Sequence, residues 1–233
     1  MSDPETPRAG VAESAGTRRA FGLVVLGVVL YAVLDVVAQL LPPHYNPISQ
    51  AESDLAVGPY GFVMTINFVN RGLLSLLFLA ALARTVRSSG GRWAEFRVGA
   101  ALVGIWGVGA LLLAAFPTDV PATPVSWHGA IHLVVAVIAF LAGAFGVYSL
   151  ATRFERVPVL ARTRAFAVPL AALSILLCVV DLGLPFVAPH LNSRIGGLTE
   201  RLFLGSVLLW FLLVSLVLAR ERPDPVAGPA NPA

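Results

Sequence analysis

Six apolar stretches, at about 20–41, 61–83, 97–116, 126–150, 165–187 and 201–219, occupy most of this 233-residue chain. Each reaches the roughly 20 residues that a helix needs to cross the hydrocarbon of a bilayer. Composition excludes the soluble alternative. Hydrophobic residues make up 57% of the chain and charged residues 12%, against roughly 25% charged in soluble domains. A chain of this length has too little interior to hide so much apolar surface, so lipid must be the solvent. Lipid offers backbone N–H and C=O groups no water, which leaves helices or a closed barrel. The runs lack barrel alternation. The sequence therefore predicts an all-α polytopic membrane protein, a six-transmembrane-helix bundle over residues 20–220, with disordered cytoplasmic tails at 1–19 and 221–233.

Arginine orients the bundle. All 16 basic residues are arginine, and the net charge is +3. Arg8, Arg18, Arg19, Arg84, Arg87, Arg92, Arg97, Arg153, Arg156, Arg162, Arg164, Arg220 and Arg222 fall on one side of the six runs. Arg71, Arg194 and Arg201 fall toward the other. The positive-inside rule then places both termini in the cytoplasm and loops 42–60, 117–125 and 188–200 outside; the absence of lysine suggests a GC-rich bacterial genome, and so a bacterial inner membrane. Arginine in short loops suits anionic lipid headgroups, so membrane lipids are the expected partners. No nucleic-acid motif is present. The pair Arg18-Arg19 resembles a twin-arginine signal, but no small-residue cleavage site follows, and the pair reads as the anchor of the first helix. The single cysteine, Cys178, lies within an apolar run and excludes a disulfide framework or a cysteine metal site.

A charge inside a spanning helix costs on the order of 2.5–3.5 kcal/mol on insertion scales and generally faces a partner in the bundle interior. Here such residues gather in the outer halves of the helices. They are Asp35 in the first, Asn67, Asn70 and Arg71 in the second, His128 and His132 in the fourth, Asp181 in the fifth, and Glu200 and Arg201 at the start of the sixth. Arg71 falls roughly 10–15 Å deep at 1.5 Å per residue. Asp35 and Asp181 lie at similar depth and are its expected counter-charges. A structural ion pair and an anion site are both open readings of Arg71.

His128 and His132 are spaced four apart and share a helical face. Thr123-Pro124 reads as the start of that helix, with Thr as N-cap and Pro at the first helical position. Two imidazoles one turn apart can chelate zinc, with Asp119 or Asp54 completing three protein ligands and a water. The glutamate of a metalloprotease motif is missing. A hydrogen-bonded pair and a proton relay are the other readings. A hydrolase triad of Ser53, His128 and Asp119 lacks the Gly-x-Ser-x-Gly elbow. The first outer loop, 42–60, carries Pro42, Pro43, Pro47 and Pro59 and reads as stiff, so Ser53 and Asp54 can be held at the bundle mouth.

Two stretches carry a resemblance. One is Pro47-Ile48-Ser49-Gln50, then Ser53-Asp54-Leu55-Ala56-Val57-Gly58-Pro59-Tyr60-Gly61 and Asn67. The other is Phe116-Pro117-Thr118-Asp119 followed by His128-Gly129-Ala130-Ile131-His132. They are similar to the signatures of the domain of unknown function 998 family of prokaryotic membrane proteins. The resemblance implies a one-domain, six-helix bundle and no particular activity. It draws emphasis to Ser53, Asp54, Asp119, His128 and His132.

The expected site is thus an outward-facing polar pocket built from Ser53, Asp54, Asn67, Arg71, Asp119, His128, His132 and Asp181. The leading expectation is binding of a lipid headgroup or small polar ligand. The alternatives are a metal-assisted enzyme acting on a lipid or prenyl substrate, with Asp54, Asp119, His128 and His132 as zinc ligands or acid-base groups, and a proton-coupled transporter. The inner halves of the helices offer little of the polar path that transport needs.

Overall fold

The computed structural model describes residues 6–41, 45–120 and 123–220, with side chains from residue 15 onward. The expected tail at 221–233 and the loop residues Pro42, Pro43 and His44 lie outside the described residues. All regular structure among the described residues is helical. The elements are α1 (Thr6–Leu40), α2 (Gly61–Ser88), α3 (Arg97–Ala115), α4 (Trp127–Ala151), the single turn α5 (Pro158–Ala161), α6 (Arg164–Val187) and α7 (Pro189–Arg220). Six helices are long and apolar enough to cross a membrane, as the sequence predicts. Each spanning helix packs on the next, and α7 returns onto α1 to close a ring.

Three boundaries depart from the sequence reading. Helix α1 begins at Thr6, inside the expected tail, where alanine, the strongest helix former, recurs at positions 9, 12 and 15. Helix α4 begins three residues later than Thr123-Pro124 suggests. Its N-cap is Ser126, whose hydroxyl accepts from the Gly129 N–H. The expected loop 188–200 is helical. Ala188 alone joins α6 to α7, and Pro189 opens α7 at a position where its missing N–H costs nothing. At 32 residues, α7 is about 48 Å long, well beyond the hydrocarbon thickness.

The two ends of the bundle are built differently. The arginine-rich end is packed with aromatic rings. Phe78 meets Phe211 edge-on at 4.9 Å and Trp210 at 5.5 Å, and Phe21, Phe96 and Phe154 are buried in the same cluster. The opposite end has a smaller apolar cluster around Met64, Phe68 and Leu113. This leaves room for polar groups. Loop 45–60 folds across that end. Within it a 3-10 turn, Glu52–Ala56, buries Glu52 and Leu55.

Candidate functional site

The loop is fastened to α7. Leu198 donates its N–H to the Ile48 carbonyl at 2.9 Å. Arg201 donates to the carbonyls of Pro47 (3.0 Å), Gln50 (3.1 Å) and Gly197 (3.2 Å), and to the Tyr45 hydroxyl. Gly197 makes this approach possible, since a Cβ there would lie 2.0 Å from the Gln50 carbonyl oxygen. Arg201 also faces Asp35 at 3.9 Å, and Asp35 accepts from Gln39. The counter-charge of Asp35 is therefore Arg201, not Arg71.

Beneath the fastened loop lies a cavity of about 650 Å³, within the roughly 300–1,000 Å³ of ligand pockets. Its polar lining is Ser49, Glu52, Ser53, Asp54, Arg71, Thr118, His132, Asp181, Asn192 and Glu200. Its apolar wall comes from α4 (Leu133, Ala136, Val137, Phe140) and α6 (Leu182, Pro185, Phe186). Five of the eight expected site residues, Ser53, Asp54, Arg71, His132 and Asp181, thus come together around one space, with Glu200 beside them.

Arg71 is 1% exposed. Its guanidinium lies over Trp106 at 4.7 Å and Phe68 at 5.3 Å. Gly143 on α4 clears the space for Trp106, because a Cβ there would lie 2.5 Å from the indole ring. Two aromatic rings thus lie against the guanidinium. Its edge is unsatisfied, for Nε and Nη2 have no hydrogen-bond partner among the described residues. No ion pair to Arg71 forms among the described residues either. The expected pairs with Asp35 and Asp181 do not form, because Asp35 faces Arg201 and Asp181 accepts from the Thr199 hydroxyl at 2.9 Å.

The carboxylates around the cavity are each tied to the frame. Glu52, 2% exposed, accepts from the Tyr31 hydroxyl, and its own N–H donates to Glu200 Oε2 at 2.9 Å. Burial, helped by the negative charge of Asp35, pushes the Glu52 carboxyl up to about 7. Burial also raises Asp54 above the ordinary carboxylate range. The Tyr45 hydroxyl is raised by burial as well, against the pull of Arg201.

Three of the expected site residues lie elsewhere. Asn67 is fully buried and donates to the Tyr31 carbonyl at 3.2 Å, holding α2 to α1. Asp119 accepts from the Ser126 N–H at 2.9 Å and from its hydroxyl at 2.5 Å, which braces the start of α4. Those two hydrogen bonds hold its carboxyl below the usual range. His128 is exposed and lies against Trp127. His132 is buried and its Nδ1 lies 2.7 Å from the Phe116 carbonyl. The proposed zinc set of His128, His132 and Asp119 or Asp54 is not assembled. Among the described residues no group of three or more His, Cys, Asp or Glu is placed to hold a metal ion. Spacing put the two imidazoles on one face, but that face turns from interior to surface within one helical turn.

Sequence reasoning did not single out Glu52, Tyr31 or Tyr45. An acid in a polar loop looks solvated, and nothing in the linear sequence shows that the 3-10 turn tucks it under the loop. Glu200 and Arg201 were conspicuous as the charged pair opening an apolar run.

These features define a multi-pass membrane protein with a polar cavity at one end of a six-helix bundle. The chain belongs to the family described as "Protein of unknown function (DUF998)", whose model matches residues 25–217. No curated protein and no solved structure matches the chain.

Proposed function

We propose that this is a binding protein of the bacterial inner membrane, with both termini inside. Its cavity opens outward and holds the anionic part of a lipid headgroup or small polar ligand on Arg71. The observation that carries this reading is the unpartnered edge of the buried Arg71 guanidinium. Leaving a buried donor unmade costs about 1–3 kcal/mol, and more for a charged group. Stacking on Trp106 and Phe68 returns about 0.5–2 kcal/mol apiece. Stacking therefore offsets part of the cost while leaving the in-plane fork open. That fork is the geometry that takes a carboxylate or phosphate through two parallel hydrogen bonds.

The rival readings have less behind them. A metal-assisted enzyme would need Asp119, His128 and His132 to converge, and each is engaged separately. A proton-coupled transporter would need a polar route past Phe78, Trp210 and Phe211, where the rings interlock. Outward orientation rests on the arginine count at the far end.

The test is thermal unfolding of the purified protein in detergent, titrated with inorganic phosphate and with phospholipid. The parent chain should be stabilised in proportion to ligand, as mass action requires, and Arg71→Gln should lose that response. Equal stabilisation of both chains would sink the proposal. Orientation is tested separately in intact cells. In a Cys178→Ser background, a cysteine introduced at Ser53 should react with a membrane-impermeant maleimide. Labelling that requires lysis would reverse the topology.

A further inference from the structure

The cavity has a side as well as a mouth. Its α4 wall includes Leu133, 64% exposed, and its α6 wall includes Phe186, 87% exposed. Both sit within spanning helices, so their exposed faces look toward lipid tails. His132, the residue before Leu133, and Asp181, five residues before Phe186, line the same space. The wall where α4 and α6 bound the cavity is therefore apolar outside and polar inside. A soluble ligand has no use for such a wall. An amphiphile does, since its tails can stay in the bilayer while its head reaches the interior.

The charge around the cavity narrows the headgroup. Glu52, Asp54, Asp181 and Glu200 supply four carboxyl groups to the lining, and Arg71 supplies the guanidinium. Arg201 lies beyond the lining, already engaged with the loop carbonyls and Asp35. A purely anionic head that reached Arg71 would face these carboxyls with nothing to offer them. A purely cationic head would leave the Arg71 edge unmade. A head carrying both a phosphate and a primary ammonium satisfies both, because the ammonium has three donors for carboxylate oxygens.

We infer that the occupant is a zwitterionic aminophospholipid-type amphiphile that enters between α4 and α6, sets its phosphate on Arg71 and its ammonium among Asp54, Asp181 and Glu200, and leaves its chains in the bilayer. This inference rests on the anion-holding role of Arg71.

The experiment is native mass spectrometry of the full chain in detergent, titrated separately with four probes. These are phosphatidylethanolamine, phosphatidylglycerol of identical acyl chains, soluble phosphoethanolamine, and inorganic phosphate. Phosphatidylethanolamine should bind about tenfold tighter than phosphatidylglycerol, the margin expected of one well-made charged hydrogen bond. The two soluble probes should bind more weakly than either lipid. Arg71→Gln should lose both lipids. The double variant Asp181→Asn, Glu200→Gln should keep phosphatidylglycerol and lose the preference for the amine.

Phosphatidylglycerol binding as tightly as phosphatidylethanolamine, with both lost in Arg71→Gln, would overturn the zwitterion while leaving the anion site standing. Phosphoethanolamine matching the lipid would overturn the amphiphile and favour a soluble ligand. Binding of every probe unchanged in Arg71→Gln would remove both readings together. Should Arg71→Gln fail to fold, the double variant decides the inference, because a preference that survives it overturns the ammonium site.

Discussion

Glu52 offers the most direct test of the buried loop. It sits in the 3-10 turn, outside the spanning helices, with its carboxyl pushed up to about 7 from an ordinary 4.5. Between those values the folded chain keeps a proton that the unfolded chain releases. Stability therefore falls as pH rises through that window, and the loss is complete above about pH 7. Moving a carboxyl that far corresponds to a loss on the order of 3 kcal/mol. Glu52→Gln keeps the shape and keeps an oxygen to accept from Tyr31, but it has nothing to ionise. Near pH 4 the two chains should unfold together. Near pH 8 the variant should be the more stable, by about 6–12 °C for a chain of this size. The assay is unfolding followed by tryptophan fluorescence, using the chain's four tryptophans, across that pH range. Parallel profiles for parent and variant would refute the reasoning, because they would mean that Glu52 ionises freely in the folded chain.

Other outcomes follow from separate contacts. Ser126→Ala removes the cap of α4 and the hydroxyl bound by Asp119, and should cost about 1 kcal/mol, seen as a lower unfolding temperature. Gly197→Ala forces a methyl toward the Gln50 carbonyl, and should cost about 1–3 kcal/mol while making loop 45–60 more susceptible to limited proteolysis. Stoichiometric zinc should leave the unfolding temperature unchanged. A rise that His132→Ala abolishes would restore the metal reading.

The spanning helices and the residues that break their apolar runs were legible in the sequence for one reason. In hydrocarbon a polar side chain is conspicuous by its cost, so Arg71, His132 and Asp181 mark an interior without any knowledge of packing. Depth is legible too, because 1.5 Å per residue converts position into height. Angle about the bundle axis is not. Asp35 and Arg71 lie at similar depth, yet Asp35 turns toward Arg201 on α7, and the linear sequence could not choose between partners. The histidine pair fails on the same ground, since four residues of spacing fix a shared face but not what that face meets. Loop residues are legible least. Glu52 is buried by a fold of the chain over itself, and an acid among prolines and serines gives no hint of it. The stretch after Ala188 looked like a loop because Asn192, Ser193 and Arg194 are polar. It is helical because the helix extends past the depth where lipid demands apolar residues.

The rings stacked on Arg71 have an effect beyond their attraction. Trp106 and Phe68 lie 4.7 and 5.3 Å from the Arg71 guanidinium and restrict the poses it can take. An ordinary arginine gives up about 2 kcal/mol of rotamer freedom when it is pinned by a guest. If Arg71 holds an anion as proposed, folding has already met that cost, and it does not weaken binding.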